Sequence, residues 1–293
     1  MKVLLTNDDG YQASGLEAIR AALIGVGAQV VTVAPVQNCS GFARACTFSR
    51  PVKVKLVVAG ENPVYSCDGT PTDCIRVGLL GQLAEDVSLV VSGINHGANL
   101  ADDITYSGTV GAALEAAILG ISSLSLSQQT PTGSFAVNYT ENLEELGLAY
   151  DFTQAADHAA LFAVEMLRVG APEPVVLSVN YPSRFAEPIA VLTRPGKRAY
   201  PVAAATPWAD GEESREIYLF GEPDQGIPEP ESVELTDVAA LRSGRISISP
   251  LSYAFGLGDL PQAVAQFLQM VSAGLRDSHG YEDFSRGGSG GVV

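Results

Sequence analysis

The sequence predicts an α/β protein: a three-layer, Rossmann-like, mostly parallel sheet with helices on both faces. Two observations carry that reading. Short apolar runs, suited to strands buried on both sides, alternate with longer stretches of helical periodicity. And 46% of the 293 residues are hydrophobic against 17% charged, which is enough apolar material for one large core.

The elements follow in order. Lys2–Thr6 reads as a short buried strand. Ala13–Ile24 reads as a helix with Ser14 as N-cap and Gly25 and Gly27 closing it. Gln29–Ala34 is a strand stopped by Pro35. Val52–Val58 alternates apolar and polar residues, as a half-exposed antiparallel strand does. Thr72–Leu83 is helical, and Val87–Ser92 is a buried strand. Gly108–Leu119 is a helix of small residues closed by Gly120, followed by a strand over Ile121–Ser127. Thr130–Leu148 is polar and reads as an excursion.

Beyond it, Asp151–Val169 has a clear helical apolar stripe, and Val175–Val179 is a strand. Ile189–Leu192 and Glu216–Phe220 suggest an extended β arm or hairpin, followed by a Pro-, Glu- and Gly-rich loop over 221–234. A short helix at Val238–Leu241, a strand at Arg245–Ser249 ended by Pro250, and a helix at Leu260–Leu275 complete the chain. One domain over 1–284 is expected, with its core in about 1–130, 150–180 and 236–275, an arm over about 185–235, and a flexible Gly/Ser tail at 285–293.

The net charge is −16, from 33 acidic and 17 basic residues. Such a surface repels nucleic-acid polymers and anionic membranes, and neither is expected as a partner. It also repels a small phosphorylated substrate, so a site for one needs a local positive source. The apolar stretch Val3 to Leu5 is too short for a signal-peptide core, and no run approaches the roughly 20 residues of a membrane helix. A cytoplasmic location is expected. Cys39 and Cys46, like Cys67 and Cys74, are spaced too widely for the usual zinc pairings and read as small buried thiols.

Three segments carry chemistry, each at the carboxyl end of an expected strand, where open α/β sheets bind ligands. Asn7-Asp8-Asp9-Gly10 sets two adjacent carboxylates where a dinucleotide fold has a glycine-rich phosphate loop. The pair repels itself and repels phosphate until a divalent cation lies between. Ser92 to Asn99 is a glycine-rich loop in which Asn95 offers a neutral oxygen to a hard cation and Asn99 a donor to phosphate. Tyr106 to Ala113 opens a helix whose free N–H groups at Gly108 and Thr109, with the Ser107 and Thr109 hydroxyls, suit an anion. No lysine lies in any of the three. Ser40 offers a further oxygen, His96 a general acid or supporting group, and Arg44 a reach to phosphate. Each of these has an ordinary turn or surface reading as well.

These residues resemble the SurE family of survival proteins, which are metal-dependent nucleotidases. The likeness lies in TNDDG at 6–10, APVQNCSG at 34–41, DGTPTDC at 68–74, SGINHGANLADDITYSGTVGAALE at 92–115 and GRISISPL at 244–251. It implies one divalent cation per subunit, Mg²⁺ or Mn²⁺, held by Asp8, Asp9, Ser40 and Asn95. Asp8, Asp9 and Asn95 would serve catalysis, and Asn99, Ser107, Gly108 and Thr109 the phosphate. It implies hydrolysis of nucleoside 5′- and 3′-monophosphates and of short polyphosphate, and a homodimer or homotetramer exchanging its C-terminal arm and helix. One departure falls on the loop over the site: Ala45-Cys46-Thr47 stands where the family often has Ser-hydrophobic-Thr, which bears on nucleobase preference. The general acid stays open among His96, a metal-bound water and Asp9. Two other readings remain: an aspartyl-phosphate phosphatase with Asp8 as nucleophile, and a nucleotide-binding module without turnover.

Overall fold

In a computed structural model the described residues are 1–133, 147–171, 173–197 and 235–253. They fall within one compact unit, Met1–Tyr253. The strands are β1 (Lys2–Thr6), β2 (Gln29–Pro35), β3 (Val54–Val58), β4 (Val64–Cys67), β5 (Leu89–His96), β6 (Ser123–Gln128), β7 (Val176–Tyr181), β8 (Ala190–Leu192) and β9 (Ile246–Leu251). The helices are α1 (Ser14–Gly25), α2 (Pro71–Leu80), α3 (Gly108–Ile118), α4 (Thr153–Val169) and α5 (Asp237–Arg242), with a 3-10 turn at Ala101–Thr105.

The nine strands form one sheet in the order β3-β4-β2-β1-β5-β6-β7-β9-β8. From β4 to β7 every neighbouring pair is parallel. The antiparallel neighbours are β3 on β4 and β9 on β7. From β1 the chain moves outward to β2 and β4, and from β5 it moves the other way to β6 and β7. The order therefore reverses between β1 and β5, and their carboxyl ends open the crevice in which such sheets bind ligands.

Strand alternation sets the two cores. Val3, Leu5, Leu89 and Val91 face α1 and α4, meeting Leu16, Ile19, Ala156 and Ala160. Leu4, Val31 and Val90 face the other way, meeting Ile75 of α2 and Ala112 and Ala116 of α3. Apolar residues on both faces are what a parallel sheet covered by two helical layers requires. No helix among the described residues is long and apolar enough to cross a membrane.

Several boundaries differ from expectation. Ala13, not Ser14, caps α1, and no side chain bonds the free amides there. The Ser14 hydroxyl lies instead 3.1 Å from His96 Nε2. β4 was not read from the sequence. Helix α2 begins earlier and ends sooner than 72–83, because Thr70 and Asp73 form a reciprocal capping box with Pro71 at the first position. β3 pairs antiparallel as expected, but all its residues are exposed. Pro35 ends β2 from within it. Pro250 lies inside β9 opposite Leu177, and β8 already stops at Leu192 opposite Ile248, so its missing N–H breaks no ladder on that side. Of the expected arm, Ile189–Leu192 supplies β8, parallel to β9. The expected elements at Glu216–Phe220 and Leu260–Leu275, the loop at 221–234 and the tail at 285–293 lie outside the described residues.

Candidate metal centre

The loop after β1 is fixed by its own side chains. Asn7 Nδ2 donates to the Gly10 carbonyl at 2.9 Å, and the Gly10 N–H donates back to Asn7 Oδ1. Gly10 takes φ +111°, a conformation that favours glycine. The Cys39 N–H donates to the Asp8 carbonyl at 2.7 Å, which ties the loop carrying Ser40 to the carboxylate pair.

Asp8 is 3% exposed. Its carboxylate meets the first turn of α3: the Thr109 hydroxyl donates to Oδ1 at 2.5 Å, and the Thr109 N–H to Oδ2 at 3.1 Å. Gly108 makes this approach possible, since a Cβ there would stand 2.9 Å from Asp8 Cβ. Burial, joined by the Asp9 charge, pushes the Asp8 pKa from 3.8 up to about 6, and the Thr109 bonds offset only part of that rise.

Asn95 is part of β5, which runs on through His96 instead of stopping at Ser92. The pairing slips between Ser92 and Asn95, and the strand resumes against Ser127 and Gln128 of β6. Asn95 Nδ2 donates to the Gly97 carbonyl at 2.8 Å, so its Oδ1 faces the site, 3.3 Å from the Thr109 hydroxyl. The His96 N–H donates to Asp9 Oδ2 at 3.3 Å. His96 Nδ1 lies 3.0 Å from the same oxygen but out of line for a hydrogen bond. Its ring stands edge-on to Tyr150 and Phe152, which stack on each other. His96 is thereby held beside Asp9 by Ser14 and two aromatic rings.

The expected phosphate groups are present but partly engaged. Ser107 Oγ accepts from the Val110 N–H as the α3 cap. Both donors of Thr109 go to Asp8, a task the sequence did not indicate. Asn99 donates to Ser127 Oγ at 2.8 Å, and its own N–H goes to Asn180 Oδ1. The loop after it is held by α5: Asp237 accepts from the Ala101 N–H at 2.9 Å, while Leu100 and Ala101 pack on Val238 and Leu241.

Arg44 does not reach toward the site. It donates to Glu115 Oε2 at 2.9 Å, and Arg76 donates to Oε1 of the same buried carboxylate at 2.5 Å. Thr47 and Cys46 bond Asp73, whose pKa burial tends to raise but these donors hold below the ordinary value. Glu115 and Asp73 therefore pin the 39–48 loop to α3 and α2. Glu115 ends the 92–115 motif, and Asp73 fits a Thr-x-x-acid capping signature. Their bonds to the 39–48 loop span the fold and leave no local trace. Glu115→Gln is expected to cost about 1–2 kcal/mol by weakening both arginine bonds, read as a fall of several degrees in Tm. An unchanged Tm would remove this anchor from the account. The four cysteines are free thiols.

The donor set fits a hard divalent cation. Asp8 and Asp9 pair with no lysine or arginine among the described residues. Asn95 Oδ1 points the same way, and Ser40 sits on the loop bonded to Asp8. No group of three or more His, Cys, Asp or Glu suited to a metal occurs among the described residues; a cation held here would take neutral oxygens beside the two carboxylates, as Mg²⁺ and Mn²⁺ accept.

Fold and site together define a doubly wound α/β protein with a paired-carboxylate centre at its switch point. Residues 3–202 match the family described as "Survival protein SurE", and the chain belongs to that family. It is 40% identical over 253 residues to a protein of Geobacter sulfurreducens named 5′-nucleotidase SurE, covering 86% of this chain and 87% of that one. A protein of the same name from Synechocystis is 35% identical over 263 residues, at 86% and 90% coverage. The crystal structure of the SurE protein from Aquifex aeolicus matches with a TM-score of 0.67 at 33% identity, covering 91% of this chain and 99% of that chain.

Proposed function

We propose that this chain is a hydrolase, a divalent-metal-dependent phosphomonoesterase that releases phosphate from nucleoside 5′-monophosphates, and also from 3′-monophosphates and short polyphosphate. The observation that carries the proposal is the adjacent carboxylate pair at the switch point, Asp8 buried and Asp9 partly exposed, which no lysine or arginine among the described residues neutralises. The family's curated relatives, named 5′-nucleotidases, supply the substrate class.

Asp8, Asp9, Asn95 and Ser40 hold one Mg²⁺ or Mn²⁺ per subunit. When bound, the cation acts as a Lewis acid on the phosphoryl group and offsets the acidic surface. Thr109 fixes Asp8 through two hydrogen bonds, and His96, braced by Ser14, fixes Asp9. The Gly108 N–H at the head of α3, the Ser107 hydroxyl and the second amide hydrogen of Asn99 hold the remaining phosphate oxygens and receive charge as it develops. The same reading includes a cytoplasmic location and a homodimer or homotetramer, which the family resemblance supports.

The test is phosphate release from AMP, GMP, 3′-AMP and short-chain polyphosphate with Mn²⁺, with Mg²⁺ and with excess chelator. Release is expected with either cation and none with chelator. Activity indifferent to chelator would sink the metal reading, and no activity on any nucleotide would sink the substrate reading.

A further inference from the structure

Phe42 is a large apolar side chain left 48% exposed beside the site. Its position is tightly set. Cys39 to Phe42 form a turn in which the Phe42 N–H donates to the Cys39 carbonyl at 3.2 Å, with Gly41 at φ +80° in the third position. Ser40, the proposed cation ligand, occupies the second position, so Phe42 follows it by half a turn.

The next residues are fastened at several points. The Ala43 N–H donates to the Tyr106 carbonyl at 3.0 Å, beside the α3 cap that faces phosphate. Ala43 lies so close to α3 that a Cβ on Gly111 would stand 2.5 Å from its carbonyl oxygen. Arg44 is bonded to Glu115, the Ala45 carbonyl accepts from Thr70, and Cys46 and Thr47 are bonded to Asp73. A loop held this firmly fixes its tip with little freedom left to lose on binding. Yet Phe42, at the tip, joins none of the hydrophobic core clusters of the described residues. The Tyr106 ring, joined to the same loop by its backbone, is similarly exposed at 47%.

A nucleotide has two chemically distinct ends. The phosphate end needs the cation and the α3 amides. The base is neutral and flat, and a chain with a net charge of −16 neither attracts nor repels it appreciably. An aromatic face takes up any of the bases by stacking, without reading its hydrogen-bonding edge. From this juxtaposition we infer that Phe42 is the base-stacking residue of the site. It separates nucleotides from phosphomonoesters that lack a base, with little preference among bases. This inference rests on the nucleotidase reading above.

The experiment compares AMP with ribose 5-phosphate, which keeps the sugar and phosphate and lacks the base, in the parent, Phe42→Ala, Phe42→Leu and Phe42→Trp with saturating Mn²⁺. Phe42→Ala and Phe42→Leu are expected to raise KM for AMP about tenfold and to leave KM for ribose 5-phosphate within about twofold; Phe42→Trp keeps the parental values. Adenosine should inhibit ribose 5-phosphate turnover in the parent and lose about the same factor in Phe42→Ala. Equal changes for the two substrates, or none for either, would overturn the inference. So would a change in assembly mass that lowers both activities together, which would place Phe42 in an interface between copies. Failure of the parent to hydrolyse any nucleotide is a separate result and strikes the nucleotidase reading itself.

Discussion

Asp8→Asn is expected to cut phosphate release by about two to three orders of magnitude and, at the same time, to stabilise the metal-free protein. The carboxylate is buried next to Asp9, and burial is the larger reason its pKa rises from 3.8 to about 6. A folded-state pKa above the unfolded value means the fold disfavours the charged form. The penalty is full above about pH 6 and is lost as pH falls toward 4, where both states hold the proton. At about 1.4 kcal/mol per tenfold, the rise corresponds to on the order of 3 kcal/mol at pH 7.5. Asparagine removes that charge but also loses the ionic character of the two Thr109 bonds. The Thr109 hydroxyl can turn to donate to Asn95 and accept from the new amide. A net gain of about 1–2 kcal/mol is expected.

The measurement is Tm in chelator for parent and variant across pH. The variant should melt several degrees higher at pH 7.5, with the gap nearly closed by pH 5. Mn²⁺ should raise the Tm of the parent and leave the variant near its chelator value. Phosphate release should fall by about two to three orders of magnitude, the kinetic equivalent of several kcal/mol of lost charge stabilisation. A variant no more stable than the parent in chelator would show that Asp8 is not a charge held at a cost for function. Near-parental turnover would remove Asp8 from the site altogether.

The parallel core was readable because strands buried on both faces must be continuous apolar runs; Val3–Leu5 and Leu89–Val91 are of that kind. β4 was not, because Val64-Tyr65-Ser66-Cys67 is short and half polar, and becomes a strand through pairing with β2 on one side and β3 on the other. Ser14 looked like a cap because serine often is one, but its hydroxyl is spent on His96, 82 residues away. Gly93 looked like the end of β5, and it sits where the pairing slips before the strand resumes. Asp8, Asp9, Asn95 and the head of α3 were legible because strand ends and helix starts announce themselves locally. Thr109 as the partner of Asp8, and Glu115 as the anchor of Arg44 and Arg76, were not. Each joins segments far apart in sequence, and nothing nearby marks the pairing.

Gly108→Ala separates helix stability from site geometry. At the first position of α3, alanine has the better helix propensity, by up to about 1 kcal/mol. On local grounds the variant should be as stable as the parent or slightly more so. But the new methyl would lie 2.9 Å from both Cβ and Oδ2 of Asp8. The oxygen alone could rotate away, whereas Cβ moves only with the backbone. That backbone is held by the Cys39 N–H on the Asp8 carbonyl and by the Asn7–Gly10 bonds just beyond. Rotation of the carboxylate in turn gives up Thr109. The strain therefore falls on the alignment of Asp8 with Asn95 and Asp9. A displacement approaching 1 Å at a reacting centre costs about 100-fold in rate, so kcat for AMP is expected to fall by about that factor, with Tm within a few degrees of the parent. Mn²⁺ affinity should weaken in parallel, since the same oxygens hold the cation. Parental kcat and Mn²⁺ affinity in Gly108→Ala would mean that the close approach of α3 to Asp8 is incidental to the chemistry, and that the anion cradle must be sought elsewhere than at this helix end.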